Sequence, residues 1–149
     1  MRAVVQRVLK AQVTVEGETV GRIGPGLLVL AAAGQDDHEA DIIYLRDKIL
    51  ALRIFEDDSG RMNRCVREMG GSVLLVSQFT LYGDVRHGRR PSFTEAMEPA
   101  AAREFFGRFV ASFNGCGVEA ATGIFGAMMA VSLVNDGPVT ILLDSKKVF

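Results

Sequence analysis

Apolar and polar positions divide the chain into short blocks of strand and helix length. Arg2-Ala3-Val4-Val5-Gln6-Arg7-Val8 is a β-rich run. Gln12 to Val15 alternates and meets Glu16-Gly17, a hairpin signal, with a return strand over Glu18 to Ile23. After the Gly24-Pro25-Gly26 turn, Leu27 to Ala33 is an unbroken apolar run, the pattern of a strand covered on both faces. Ile42, Leu45, Ile49 and Leu52 then recur at helical spacing and predict a helix over Asp37 to Leu52, with Asp36 and Glu39 as a capping box. Val73 to Val76 is a second buried strand. Phe105, Phe109 and Phe113 mark the inner face of a second helix over Pro99 to Phe113, with proline in its first turn. Strands are expected near Val118–Ile124, Met128–Val134 and Val139–Leu143, with Asn135-Asp136-Gly137-Pro138 turning between the last two. The order β-β-β-α-β-α-β-β-β predicts a single α+β domain over residues 1–149. Its sheet is expected to be mixed and barrel-like, with two main helices.

Composition narrows the class without naming it. The chain has 149 residues, 48% of them hydrophobic and 23% charged, the balance of a globular domain with a sizeable core. Its longest apolar run is far short of a membrane span, and its first residues carry no apolar signal core, so a cytoplasmic protein is expected. Cys65 and Cys116 read as reduced thiols, and with His38 and His87 they show no metal-ligand spacing. The acids Asp36, Asp37, Glu39 and Asp41 suit a helix N-terminus rather than a metal. Net charge is −1, yet the eight cations between residues 61 and 108 are all arginine and outnumber the acids there, for a local net of +3. Arginine is the residue of phosphate forks, and an ordinary solvated surface is the plainer alternative.

No phosphate loop, dinucleotide fingerprint or nucleophile elbow is present. Two segments stand out instead. In Ser77-Gln78-Phe79-Thr80 an apolar strand turns abruptly polar, which suits either strand-end hydrogen bonding or a ligand site. Asn135 to Thr140 suits either a turn opening an edge strand or a rigid backbone tip at which Gly137 permits close approach.

Gly71-Ser72-Val73 through Ser77-Gln78-Phe79-Thr80-Leu81, Arg90-Pro91-Ser92-Phe93, and Phe125-Gly126-Ala127 with Val131 to Thr140 resemble, in this order, the signatures of the D-aminoacyl-tRNA deacylases. Val5-Gln6-Arg7-Val8 resembles that family's first strand. The resemblance implies hydrolysis of the ester joining a D-amino acid, or glycine, to the 3′-terminal adenosine of tRNA. It implies a homodimer in which a cis Gly137-Pro138 enters the other copy's pocket, itself lined by Ser77, Gln78, Phe79 and Thr80. Main-chain N–H groups near Phe79 and Thr80 then stabilise the oxyanion, with Thr80 as a nucleophile the competing mechanism. Arg86, Arg89 and Arg90 are the first candidates for RNA phosphates. No cofactor, metal or membrane is called for. A dimeric RNA-binding module without catalysis and a small-ester hydrolase without an RNA partner are the competing readings.

Overall fold

The computed structural model describes residues 1–149 and contains eight strands and two main helices. β1 (Arg2–Val15) and β2 (Glu18–Ile23) form the expected hairpin, and β3 (Gly26–Ala32) returns along the first half of β1. α1 (Glu39–Ala51) follows, then a small hairpin of β4 (Phe55–Glu56) and β5 (Met62–Arg64). β6 (Ser72–Ser77) lies parallel to β3, and β7 (Glu119–Thr122), after α2 (Pro99–Ala111), lies parallel to β6. β8 (Ala130–Asp144) runs antiparallel along nearly all of β1.

The sheet order β2-β1-β3-β6-β7, with β8 added on β1, is mixed and almost closes on itself. Closure comes where β2 approaches β7. A Cβ built on Gly21 would stand 2.2 Å from the Thr122 carbonyl oxygen, so the two backbones meet where only glycine fits. Val8, Ala11, Val13, Ile23, Leu28, Leu74 and Val76 fill the barrel. The opposite face of β1, β3 and β6 carries α1 and α2, through Ile42, Leu45, Ile49, Phe105 and Phe109.

Three expectations are corrected. The expected order lacks the β4–β5 hairpin between α1 and β6. β1 runs unbroken through the exposed Leu9-Lys10, because a bulge absorbs Leu9 and shifts the register against β8. The last two expected strands are one: β8 stays paired with β1 on both sides of Asn135–Pro138, and Asp136 to Val139 bulge opposite Arg7. α1 begins two residues later than its predicted start, with His38 at the N-cap donating its N–H to Asp41 Oδ2 at 2.7 Å. Asp37 is drawn into the core, where it accepts from the Met1 ammonium and from the Gly34 N–H, each at 2.6 Å.

Candidate functional site

Ser77 ends β6 beside Ala31 of β3. The Gln78 N–H then donates to the Ala31 carbonyl at 2.8 Å, which fixes the point at which the chain leaves the sheet. Phe79 to Tyr82 form a single 3-10 turn. The first N–H groups of such a turn have no partner within it, and those of Phe79 and Thr80 donate to no other group of the chain. Two adjacent donors are therefore open at the end of a buried strand.

The turn is braced from behind. Arg2 Nη1 donates to the Leu81 carbonyl at 3.2 Å, its guanidinium lies 4.4 Å from the Tyr82 ring centre, and its Nε is 3.1 Å from Asp144. Burial, and then the nearby Asp37 carboxylate, push the Tyr82 hydroxyl far above its ordinary pKa. Tyr82 thus stays neutral and serves as packing. Thr80 Oγ1 accepts from the Gln78 side-chain amide, and no imidazole, amine or carboxylate hydrogen-bonds to it. A threonine so placed has nothing to take its proton, which disfavours it as a nucleophile.

Behind the turn lies a recess of about 30 Å³, lined by Ser77, Gln78, Phe79 and mainly apolar groups, among them Ala31, Phe106 and Phe125. That volume admits a water-sized group, not an amino-acid side chain. Phe79 is 58% exposed and meets Phe93 edge-on, ring centres 4.9 Å apart, at the rim.

The other expected residues lie elsewhere. Arg86, Arg89 and Arg90 are exposed on the loop before Pro91. Arg86 is bound to Asp84 at 2.7 and 2.9 Å and holds that carboxyl well below the usual range, whereas Arg89 and Arg90 enter no ion pair. Gly137-Pro138 is a cis peptide with Gly137 at φ 126°, and it is exposed beside Arg7. By register, Arg7 stands opposite Leu27, four residues along β3 from the Ala31 level at which Ser77 sits. At about 3.3 Å per residue this is a separation of roughly 13 Å along the sheet. One chain thus brings Ser77, Gln78, Phe79 and Thr80 together but leaves Gly137 and Pro138 outside that cluster.

Two arginines with structural roles at these segments, Arg2 and Arg7, carry no signal in the sequence pattern. Arg7 is 5% exposed, and it donates from Nη1 to the Ile54 carbonyl at 2.6 Å and from Nε to the Asp136 carbonyl at 3.0 Å. It clamps the bulged segment from beneath, as Arg2 clamps the 3-10 turn. No group of three or more His, Cys, Asp or Glu is placed to hold a metal ion, and no helix is long and apolar enough to cross a membrane.

Residues 4–144 match the model of the family described as D-Tyr-tRNA(Tyr) deacylase. Proteins named D-aminoacyl-tRNA deacylase from Desulfitobacterium hafniense and Koribacter versatilis are 59% and 60% identical, each over the whole of both chains. Among solved structures, one described as a c-Myc DNA unwinding element binding protein superimposes with a TM-score of 0.92 at 41% identity, over 97% of this chain and 98% of that one. A probable eukaryotic D-amino acid tRNA deacylase shares the fold, with a TM-score of 0.78 at 18% identity over 95% and 97% of the two chains.

Proposed function

The chain belongs to the D-Tyr-tRNA(Tyr) deacylase family, and from that membership we propose that it hydrolyses the ester of D-aminoacyl-tRNA, acting as a homodimer with a site at each subunit interface. The observation that carries the reading is the pair of open N–H groups at Phe79 and Thr80 on the rim of an apolar recess.

An aminoacyl ester is already activated, so the site needs to hold it, admit water and stabilise charge. Water adds to the carbonyl carbon as it gives up a proton, and the carbonyl oxygen becomes the oxyanion facing the Phe79 and Thr80 N–H groups. One such donor is typically worth about 2.7–4 kcal/mol of barrier. The C–O bond to the ribose then breaks. The ribose oxygen takes a proton, and the amino acid leaves as its carboxylate. The vicinal 2′-hydroxyl of the terminal adenosine is positioned on the substrate itself to orient the water. Ser77 and Gln78 line the acyl end, and Thr80 positions rather than attacks.

The homodimer is supported by the separation of Gly137-Pro138 from its own chain's recess and by the open edge of β8. Leu142 is 59% exposed along that strand. When Gly137 and Pro138 of the second copy face the recess, their carbonyls grip the substrate α-ammonium. The α-hydrogen and side chain exchange places between D and L. An L side chain meets main chain there, whereas a D side chain points outward. Glycine carries hydrogen at both positions and passes.

The test is incubation with D-tyrosyl-tRNA at protein concentrations on either side of dimer dissociation. Release of D-tyrosine with intact tRNA, at a rate per chain that falls on dissociation, is expected. Binding of the tRNA without ester loss favours the RNA-binding module. Equal rates on D-tyrosine methyl ester and the charged tRNA favour a small-ester hydrolase.

A further inference from the structure

On the outer face of the sheet, where β2, β1 and β8 run side by side, lies a groove of about 380 Å³. Its polar lining is Lys10, Gln12, Arg22 and Ser132. Lys10 and Gln12 are two apart on β1 and share a face. Gln12 stands opposite Arg22 on one side and Ser132 on the other, so the three lie in one row across three strands. No carboxylate lines the groove, and neither Lys10 nor Arg22 enters an ion pair. Two unpaired cations converging with an amide and a hydroxyl are suited to phosphate oxygens. Packing them against a second protein surface would take both from water without a partner.

The position of the groove supplies its ligand. Lys10 pairs with Val134, another lining residue, and Asn135 follows at once and opens the segment that ends in Gly137-Pro138. In the proposed dimer that segment faces the other copy's site, so the groove flanks the other copy's substrate. Resting on the deacylase reading, we propose that the Lys10–Arg22 groove binds phosphodiester groups of the tRNA whose ester is held by the opposite copy. Each tRNA is thereby bound across both copies, its ester by one and its backbone by the other.

The test compares charged tRNA with a D-aminoacyl ester of adenosine, which carries no phosphate. In a Lys10→Gln/Arg22→Gln protein, kcat/KM for D-aminoacyl-tRNA is expected to fall about tenfold relative to the nucleoside ester. The salt slope of tRNA binding should become shallower by about 1.4–1.8, the value for two phosphates. An unchanged slope, or equal loss on both substrates, overturns the groove as a phosphate site. If the unmodified protein hydrolyses neither ester, the deacylase reading fails, and the slope with uncharged tRNA still decides the groove. Mixed dimers test the arrangement across copies. A Lys10→Gln/Arg22→Gln copy is paired with one whose recess is filled by Ser77→Phe. Recovery to about half of unmodified turnover on tRNA is expected, because the intact recess and the intact groove then serve the same molecule. Turnover that stays at the level of the groove variant overturns it.

Discussion

Replacing Arg7 by methionine removes the guanidinium and keeps most of the side-chain volume. The loss falls on three acceptors, the carbonyls of Ile54 and Asp136 and the Asp136 carboxylate. The Ile54 carbonyl receives its bond at 2.6 Å from Nη1, and Ile54 is only 7% exposed. Leaving a buried acceptor without a partner costs about 1–3 kcal/mol. The Asp136 carboxylate is 3.1 Å from Nε but 41% exposed, so it returns to water and its pairing contributes about 0–1 kcal/mol. These two terms sum to about 1–4 kcal/mol, which for a chain of this size lowers Tm by roughly 3–15 °C. The functional effect follows from the same contacts. The carbonyl of Asp136, immediately before Gly137, loses its anchor at 3.0 Å, and the bulged segment gains freedom. Well below the new Tm, the Arg7→Met protein is expected to hydrolyse D-alanyl-tRNA more than tenfold more slowly and to discriminate D from L less sharply. Arg7→Lys, which keeps the charge and loses the fork, should fall between the two. Calorimetry and paired hydrolysis rates read both effects. A Tm within 2 °C of the unmodified protein, or lost stability with rate and D/L ratio unchanged, would refute the reasoning that Arg7 fixes this segment.

Acid sensitivity has an identifiable source in Asp41. Burial pushes its carboxyl up, but hydrogen bonds from Ser145, the His38 N–H and Lys146 outweigh this and bring it down to about 2. A depressed folded-state pKa stabilises above the unfolded value near 4, and that contribution is lost as pH falls from about 4 to 2. Urea midpoints measured down that range should lose on the order of 1–2 kcal/mol through this group, and Asp41→Asn should flatten that part of the curve. Thr80→Ala is expected to retain turnover within about a hundredfold and to form no acyl-enzyme; mass spectrometry of a quenched reaction showing an acyl adduct on Thr80 of the unmodified protein would contradict this. Arg89→Ala/Arg90→Ala should weaken tRNA binding and reduce its salt dependence more than Arg86→Ala does, because Asp84 already occupies Arg86; equal effects in filter binding would count against that ordering.

Much of this was legible wherever the signal was local. α2 starts at Pro99 and ends two residues before the predicted boundary, because its proline and its Phe105, Phe109 and Phe113 stripe lie within one segment. Ser77 to Thr80 stand out in the sequence because an apolar strand turns polar there, and the structure places them where β6 ends, with the Phe79 and Thr80 N–H groups open. The failures involve distant partners. Asn135-Asp136-Gly137-Pro138 has the composition of a turn, but β1, some 130 residues earlier, holds the flanking residues in one strand and leaves Asp136 to Val139 opposite Arg7. Asp37 reads as a helix-end acid in the sequence because nothing nearby reveals the Met1 ammonium that binds it. Arg2 and Arg7 sit in a strand pattern that gives no sign that each clamps a carbonyl brought to it by folding.

In the proposed dimer, ester hydrolysis is selected by chirality through main-chain atoms contributed across two copies. Alanine is the most direct probe, since its two enantiomers differ only in where one methyl group points. Hydrolysis of D-alanyl-tRNA, L-alanyl-tRNA and glycyl-tRNA is followed in parallel under single-turnover conditions. The account predicts rapid loss of the D-alanyl ester, measurable loss of the glycyl ester, and L-alanyl loss no faster than in buffer. Hydrolysis of L-alanyl-tRNA at a rate comparable to the D form would contradict it.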